Sequence, residues 1–333
     1  MQPINTYVPL RPQCAILCTI KNEATYIFEH YAWHKRIGFS RFIYVHNDCT
    51  DQTVPALATL AAYDPRVTVI ENIVQPGDRP QGSAYAQARA RILPQLQDWY
   101  IMVVDIDEFL LLKEHDSIQE LLEAFTSPQV VSFNWRIFGS NGQNEYSDDL
   151  VVSRFTACAP EDHQVNRMFK SIWRNTEQVV NHGPHRPHVK VPQAIRWVSP
   201  TVPPLGQDLP LEFRKGANPK QTNYGPFLDI AQINHYIVKS RSEFEEKMGR
   251  GGGWSNPGRD SPRARHNRDF FIENDRNEIV DNLAASRSSE VRQETNLLRR
   301  KFFQMHGCDL EFIKMINLTQ QISPKSADES AGP

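Results

Sequence analysis

The sequence predicts an α/β fold, a doubly wound, Rossmann-type mixed sheet with helices on both faces. Two observations predict it. From residue 14 to about residue 140, short apolar runs alternate with helix-patterned segments at a steady rhythm, as strands joined by crossover helices require. The run WYIMVVDIDEFLLL, residues 99–112, carries three acids and no basic neighbour. In such a sheet these acids belong at the carboxyl end of a strand, where ligands bind.

CAILCTI (residues 14–20) reads as the first strand. NEATYIFEHYAWHKRIG follows as a helix, with Asn22 able to cap, Glu23 in the first turn and Gly38 as the stop. RFIYVHND is a second strand, CTDQTVPALATLAAY a loop and helix, and RVTVIEN a third strand. GSAYAQARARILPQLQ is an Ala-rich helix that Pro94 bends or ends. After the acidic strand, SIQELLEAF carries a capping box of Ser117 and Glu120, and VVSFNWRIF is another strand. Residues 199–227 hold prolines at 200, 203, 204, 210, 219 and 226 and are expected to form a long loop. FLDIAQINHYIV restores a strand, and KSRSEFEEKMGRGGG a helix capped by Ser242 and Glu245. A basic loop (259–269) and the helical segment SSEVRQETNLLRRKFFQMHG follow before a polar tail.

The 333 residues include 37 Lys and Arg against 39 Asp and Glu, so no global basic field points to nucleic acid. Five scattered cysteines, Cys14, Cys18, Cys49, Cys158 and Cys308, lack zinc spacing and fit a reducing compartment. The opening lacks a leader pattern, and no apolar run reaches ~18 residues. A cytoplasmic protein without a transmembrane segment is the expectation, peripheral membrane contact being left open.

Unpaired carboxylates buried in a core cost about 3–5 kcal/mol each, so Asp105, Asp107 and Glu108 must meet a cleft, a cation or a buried base. At spacing i, i+2 in a regular strand, Asp105 and Asp107 share one face. Two hard oxygen ligands there suit Mg2+ or Mn2+ completed by substrate phosphates; an acidic loop capping the next helix is the plainer alternative. Two enzyme classes use such a pair. Haloacid-dehalogenase-type phosphatases carry D-x-D-x-T/V on their first strand, with the first Asp as nucleophile. Here Phe109 holds the fifth position and about 100 residues precede the motif. Nucleotide-sugar transferases of the GT-A fold place their D-x-D after a nucleotide-binding half, as here.

CTIKNEATYIFEHYAWHKRIGFSRFIYVHNDCTDQT resembles the opening of family 2-like glycosyltransferases, the type related to DUF23 and family 92. VVDIDEFLLL resembles their D-x-D-E-F, and FNWRIFGSNG a W-x-x-F-G-S-x-G stretch. FKSIWR, HGPH and INHYIVKSRSEFEEKMGRG resemble later blocks, so the series covers residues 14 to about 255. The resemblance implies a GT-A fold, a divalent metal (Mn2+ or Mg2+) and a nucleoside diphosphate-sugar donor, a UDP-sugar foremost. It implies a glycan, lipid-linked or protein acceptor. Residues 1–13 would form an arm, 14–112 a nucleotide-sugar-binding half, 113–317 an acceptor half with a helical C-terminal region, and 318–333 a disordered tail.

By that resemblance Asn22, Glu23, Asp48, Asp51, Gln81 and Tyr85 lie near the nucleotide; a helix cap, an Asx turn and surface positions are the alternatives. Asp105 and Asp107 would hold the metal, with His235 as third ligand or a structural histidine. Lys239, Lys247 and Arg250 would neutralise the diphosphate, or form a solvated helix face. His182, His185 and His188 lack a completing zinc ligand and read as pocket wall. Trp135, Phe138, Gly139 and Ser140 would shape the acceptor subsite, Trp135 by stacking or as core. Glu108 would orient the site or bind acceptor. For the base of an inverting transfer, Asp229 stands beside Glu161 and Asp162 of a surface-like loop. A phosphatase using Asp105 as nucleophile and a silent sugar-binding module are the other readings.

Overall fold

The chain begins as strand–helix repeats: β1 (Cys14–Ile20), a 3-10 turn at Ala24–Tyr26 leading into α1 (Ile27–Arg36), β2 (Arg41–His46), α2 (Thr53–Tyr63), β3 (Val67–Glu71), α3 (Pro80–Arg91) and β4 (Tyr100–Val103). It continues through β5 (Glu108–Leu112), α4 (Ile118–Ala124), β6 (Val130–Ile137), α5 (Val151–Arg154), β7 (Ala157–Cys158) and β8 (Phe169–Arg174). Then come the antiparallel pair β9 (Val179–His182) and β10 (Pro187–Val189), β11 (Trp197–Ser199), β12 (Gln207–Asp208), α6 (Leu211–Lys215) and β13 (Ala231–His235). It closes with α7 (Arg241–Arg250), α8 (Arg268–Asn274), β14 (Ile279–Val280), α9 (Leu283–Ser286) and α10 (Ser289–His306). The structure, a computed structural model, describes residues 11–75, 78–201, 207–216, 218, 224–250 and 266–309. Most of the arm, the basic loop up to residue 265, part of the Pro-rich stretch and the tail lie outside the described residues.

The main sheet has the order β12-β11-β6-β8-β4-β1-β2-β3. Strands β1 to β4 are parallel, while β8 runs antiparallel to both β4 and β6. The carboxyl ends of β1, β2, β3, β4 and β6 therefore share one edge with the amino end of β8. The sheet also forks. Residues 130–134 of β6 pair with β8, but Trp135, Arg136 and Ile137 pair with β13, which in turn pairs antiparallel with β5. Along β1, Cys14, Ile16, Cys18 and Ile20 enter a core shared with α1, α2 and α10. Ala15 and Leu17 enter a second core with α3, Trp173 and Trp197. Covering both faces is why the strands read as nearly unbroken apolar runs, and the expected doubly wound α/β class is what forms.

Gly38 (φ 101) ends α1 as expected, and Pro94 falls in a 3-10 turn (Leu93–Leu96) that closes α3. Ser117 caps α4, accepting the Glu120 N–H at 3.3 Å. Four expectations change. The strand 99–112 is two strands, because the chain turns between β4 and β5 at the acids. Asn22 (φ 52) does not cap a helix: it bridges to the next loop, exchanging bonds with Thr50 at 2.8 and 3.0 Å. The capping box of α7 is Ser240 with Glu243 instead of Ser242 with Glu245, the Ser240 N–H donating to Glu243 Oε2 at 3.2 Å. The Pro-rich stretch carries β12 and α6 as well as loop.

Buried acids brace the second half. Glu29 on α1 accepts the N–H groups of Val151 and Val152 at 2.8 and 3.1 Å, fixing α5. On α5, Arg154 meets Glu243 at 2.5 Å, both side chains almost fully enclosed, and Tyr26 donates to the same carboxylate at 2.6 Å. Removing one partner of a buried pair strands the other charge. Arg154→Met is expected to lower unfolding free energy by about 3–5 kcal/mol in urea titrations.

Burial pushes His34 and His182 down to about 4 and His30 well below its ordinary range. The unfolded chain takes these protons near 6.5 and the folded one refuses them, so their stability is full above 6.5 and is lost as pH falls toward 4. Glu29, raised to about 7 by burial, works the opposite way above 4.5. Depressed histidines, with His185 and His235 among them, outnumber the two acids raised by burial, Glu29 and Glu108, so the urea midpoint is expected to be lower at about pH 5 than at about pH 7.5. His182→Phe, which keeps packing against Trp173, is expected to flatten part of that slope.

Candidate active site at the carboxyl edge of the sheet

Asp105, Ile106 and Asp107 occupy the turn between β4 and β5. Glu108 closes it from both sides: its N–H donates to the Asp105 carbonyl at 3.0 Å, and its Oε2 accepts the Asp105 N–H at 2.8 Å. Because this is a turn, the two aspartates do not present one face as a strand would. Asp105 Oδ2 faces Lys170 at 2.9 Å, while Asp107 Oδ2 faces Lys247 at 2.6 Å from α7. Lys170 also lies 3.0 Å from Glu108 Oε2. Lys170 and Glu108 are 0% exposed, whereas the Asp105 side chain is 33% exposed and opens to the cleft.

Burial alone would raise both aspartates, but Lys170 holds Asp105 below its ordinary value, and Lys247 and His235 hold Asp107 well below. Glu108 goes the other way: its enclosure outweighs Lys170 and pushes it to about 8. Burial takes His235 down to about 3, so the imidazole is neutral near pH 7.

Gln81 and Tyr85 on α3 reach the turn, Gln81 Nε2 donating to Asp105 Oδ1 at 3.4 Å. His185 binds the Phe169 carbonyl through Nδ1 at 2.9 Å, and Trp135 packs between His185 (5.6 Å) and His235 (4.4 Å). Tyr85 Oη, Gln81 Oε1, Trp135 Nε1, Glu108 Oε1 and His235 Nδ1 are buried without a hydrogen-bond partner, the last two 4.0 Å apart. Such atoms around one turn are the mark of a polar ligand site.

Asn22, Glu23, Asp48 and Asp51 lie in the loops after β1 and β2, at the same edge. Asp51 accepts the N–H groups of Ala24 (3.2 Å) and Thr53 (2.9 Å), tying the two loops together. Asp48 is exposed, 3.7 Å from Lys21. Lys239 (φ 56) precedes α7 instead of sharing its face with Lys247, its ammonium 4.3 Å over the Tyr26 ring. The Arg250 side chain lies outside the described residues.

Glu108 is enclosed and braces the turn through Oε2, with Oε1 4.0 Å from His235 Nδ1. The residue expected as the base stands away from the turn. Asp229 is exposed beside the amino end of β13, the end opposite His235; the four strand steps of β13 alone span about 13 Å. Glu161 meets Arg136 at 3.6 Å on the surface. Phe138 packs on Tyr236 and Ser140 donates to Asp275, so of the expected acceptor group Trp135 alone joins the cluster. Lys170 was not foreseen; its one signal was a charge inside the otherwise apolar start of FKSIWR.

Asp107 Oδ1 and His235 Nε2 stand 3.7 Å apart, a spacing that small adjustments bring to a shared ion. Among the described residues no three His, Cys, Asp or Glu form a ready metal cage, because Asp105 is turned to Lys170. The donor set fits an ion that takes its remaining oxygens from phosphate and water.

No family model matches the chain. Over 154 residues, 44% of its length, it is 25% identical to a glycosyltransferase family 92 protein of Oryza sativa subsp. japonica, and the match takes in 26% of that relative. Among solved structures it is similar to the mannosyltransferase PcManGT of Pyrobaculum calidifontis in complex with GDP-Man and Mn2+, at 20% identity and TM-score 0.30 over 37% of this chain and 36% of that one. It is also similar to glucosyl-3-phosphoglycerate synthase of Mycobacterium tuberculosis with Mn2+, UDP and phosphoglyceric acid, at 16% identity and TM-score 0.25 over 37% and 43%. The fold is α/β, four parallel strands followed by an antiparallel one with the acidic turn at their carboxyl edge. Among the described residues no helix is long and apolar enough to cross a membrane.

If Glu108 holds the turn, losing its carboxylate unsettles the protein itself. Glu108→Ala is expected to cost about 3–5 kcal/mol in urea unfolding, because Lys170 and the Asp105 N–H lose a buried partner. Glu108→Gln, which keeps an acceptor, is expected to cost less.

Proposed function

We propose that the protein is a glycosyltransferase that moves a sugar from a nucleoside diphosphate-sugar to a hydroxyl on a glycan, lipid-linked or protein acceptor. The observation that carries this reading is the convergence of Asp107, His235, Lys247, Gln81 and Tyr85 on one acidic turn at the carboxyl edge of the sheet. The sequence similarity to a family 92 protein supports it.

In this reading Asp107 and His235 would hold a divalent ion, which would supply positive charge against the charge that develops as the nucleoside diphosphate leaves. Lys247, displaced from Asp107, offers its ammonium to the same leaving group. The loops after β1 and β2, tied by Asp51, form the nucleoside side, and Trp135 and His185 offer flat faces to a sugar ring. A single displacement with inversion would need a base at the acceptor hydroxyl, and Asp229 stands at the end of β13 away from the acidic turn.

Calorimetric titration of UDP with and without Mn2+ tests the reading. The ion is expected to tighten UDP binding by about tenfold or more, and Asp107→Ala is expected to abolish the gain. UDP binding that ignores both the ion and the substitution would sink the reading. Phosphate release from simple esters, lost in Asp105→Asn, would favour a phosphatase instead.

A further inference from the structure

We propose that Lys170 is a positioning residue that makes the acidic turn take its divalent ion together with a diphosphate and only weakly alone. This rests on the transferase reading above.

Three carboxylates within four residues would by themselves attract a hard divalent cation. Two lysines oppose that, and they differ. Lys247 stands on a helix and is 13% exposed. Lys170 comes from the middle of the sheet and is fully enclosed, its ammonium fixed 2.9 Å from Asp105 Oδ2 and 3.0 Å from Glu108 Oε2. Moving it would strip Asp105 and Glu108 of their ammonium and leave that ammonium without a partner in the interior, so Lys170 is a permanent internal cation.

Its position divides the acids. Oε2 of Glu108 takes both Lys170 and the Asp105 N–H while its Oε1 stays enclosed 4.0 Å from His235 Nδ1, and one oxygen of Asp105 takes Lys170. What faces the cleft is Asp107 Oδ1, His235 Nε2 and the second oxygen of Asp105, which holds only the Gln81 amide at 3.4 Å. One carboxylate and one imidazole are too little negative charge to strip water from Mg2+ or Mn2+ efficiently. Diphosphate oxygens supply what is missing, so ion and nucleotide bind as a pair and the ion is released once the nucleotide leaves.

The test measures Mn2+ binding to the full chain by calorimetry and by the electron paramagnetic resonance of free Mn2+, with no nucleotide and with saturating UDP. In the wild type, Mn2+ alone is expected to bind about tenfold or more weakly than Mn2+ with UDP. Lys170→Met frees Asp105, so Mn2+ alone is expected to bind about tenfold tighter and UDP to add less. Lys170→Arg is expected to restore the dependence on UDP. A merely structural lysine would weaken both measurements together in Lys170→Met, and that result overturns the proposal. Asp105→Asn gives a check that leaves Lys170 in place. It is expected to change binding of Mn2+ alone by less than about twofold, where Asp107→Ala removes it. Equal losses in the two variants overturn the proposal. UDP that fails to bind under any metal condition defeats the transferase reading, while the Mn2+-only comparisons still decide the role of Lys170.

Discussion

Turning the chain back after β4 puts three carboxylates into four residues, and the molecule depends on the ammonium of Lys170 to make that turn tolerable. The lysine reaches it because β8 runs antiparallel between β4 and β6, so its first residues arrive where β4 ends. A parallel strand at that place would bring its carboxyl end to the turn and leave its first residues at the other edge. The one reversed strand in the middle of the sheet is thus an electrostatic requirement of the acidic turn as well as a matter of topology.

A second set of buried charges delivers Lys247. Glu29 on α1 holds α5 by two backbone N–H groups, Arg154 on α5 holds Glu243 at the head of α7, and Lys247 about one turn of helix later is the residue that meets Asp107. Each link is short and enclosed, so the position of the second cation is inherited from the helix that follows β1. The segment that follows β1 and the α7 side of the turn are therefore connected through α5 as well as directly, by Tyr26, which donates to Glu243 and lies under Lys239.

The rhythm of strands and helices was legible because each strand is buried on both faces and each helix carries local stop and cap residues such as Gly38, Pro94 and Ser117. The acids at 105 and 107 were legible because charge inside an apolar run is costly. Lys170 was not, because its meaning depends on β8 lying beside β4, a pairing of residues about 70 apart that no local pattern announces. Asp229 misled because its distance from the turn is set by the direction of β13, which runs antiparallel to β5. Lys239 misled in a smaller way. Its positive φ takes it out of the helical register that its spacing from Lys247 suggested.

The fork in the sheet has a mechanical consequence. Because β6 pairs with β8 along one half and with β13 along the other, the floor beneath Trp135 is stitched by main-chain hydrogen bonds on both branches. Widening the floor would mean unzipping a ladder, so the cleft cannot adapt to a larger ligand by spreading at its base. Above it, Gln81 on α3, His185 after β9 and Lys247 on α7 sit on separate elements, and the sheet beneath these three separately mounted side chains acts as a rigid bed.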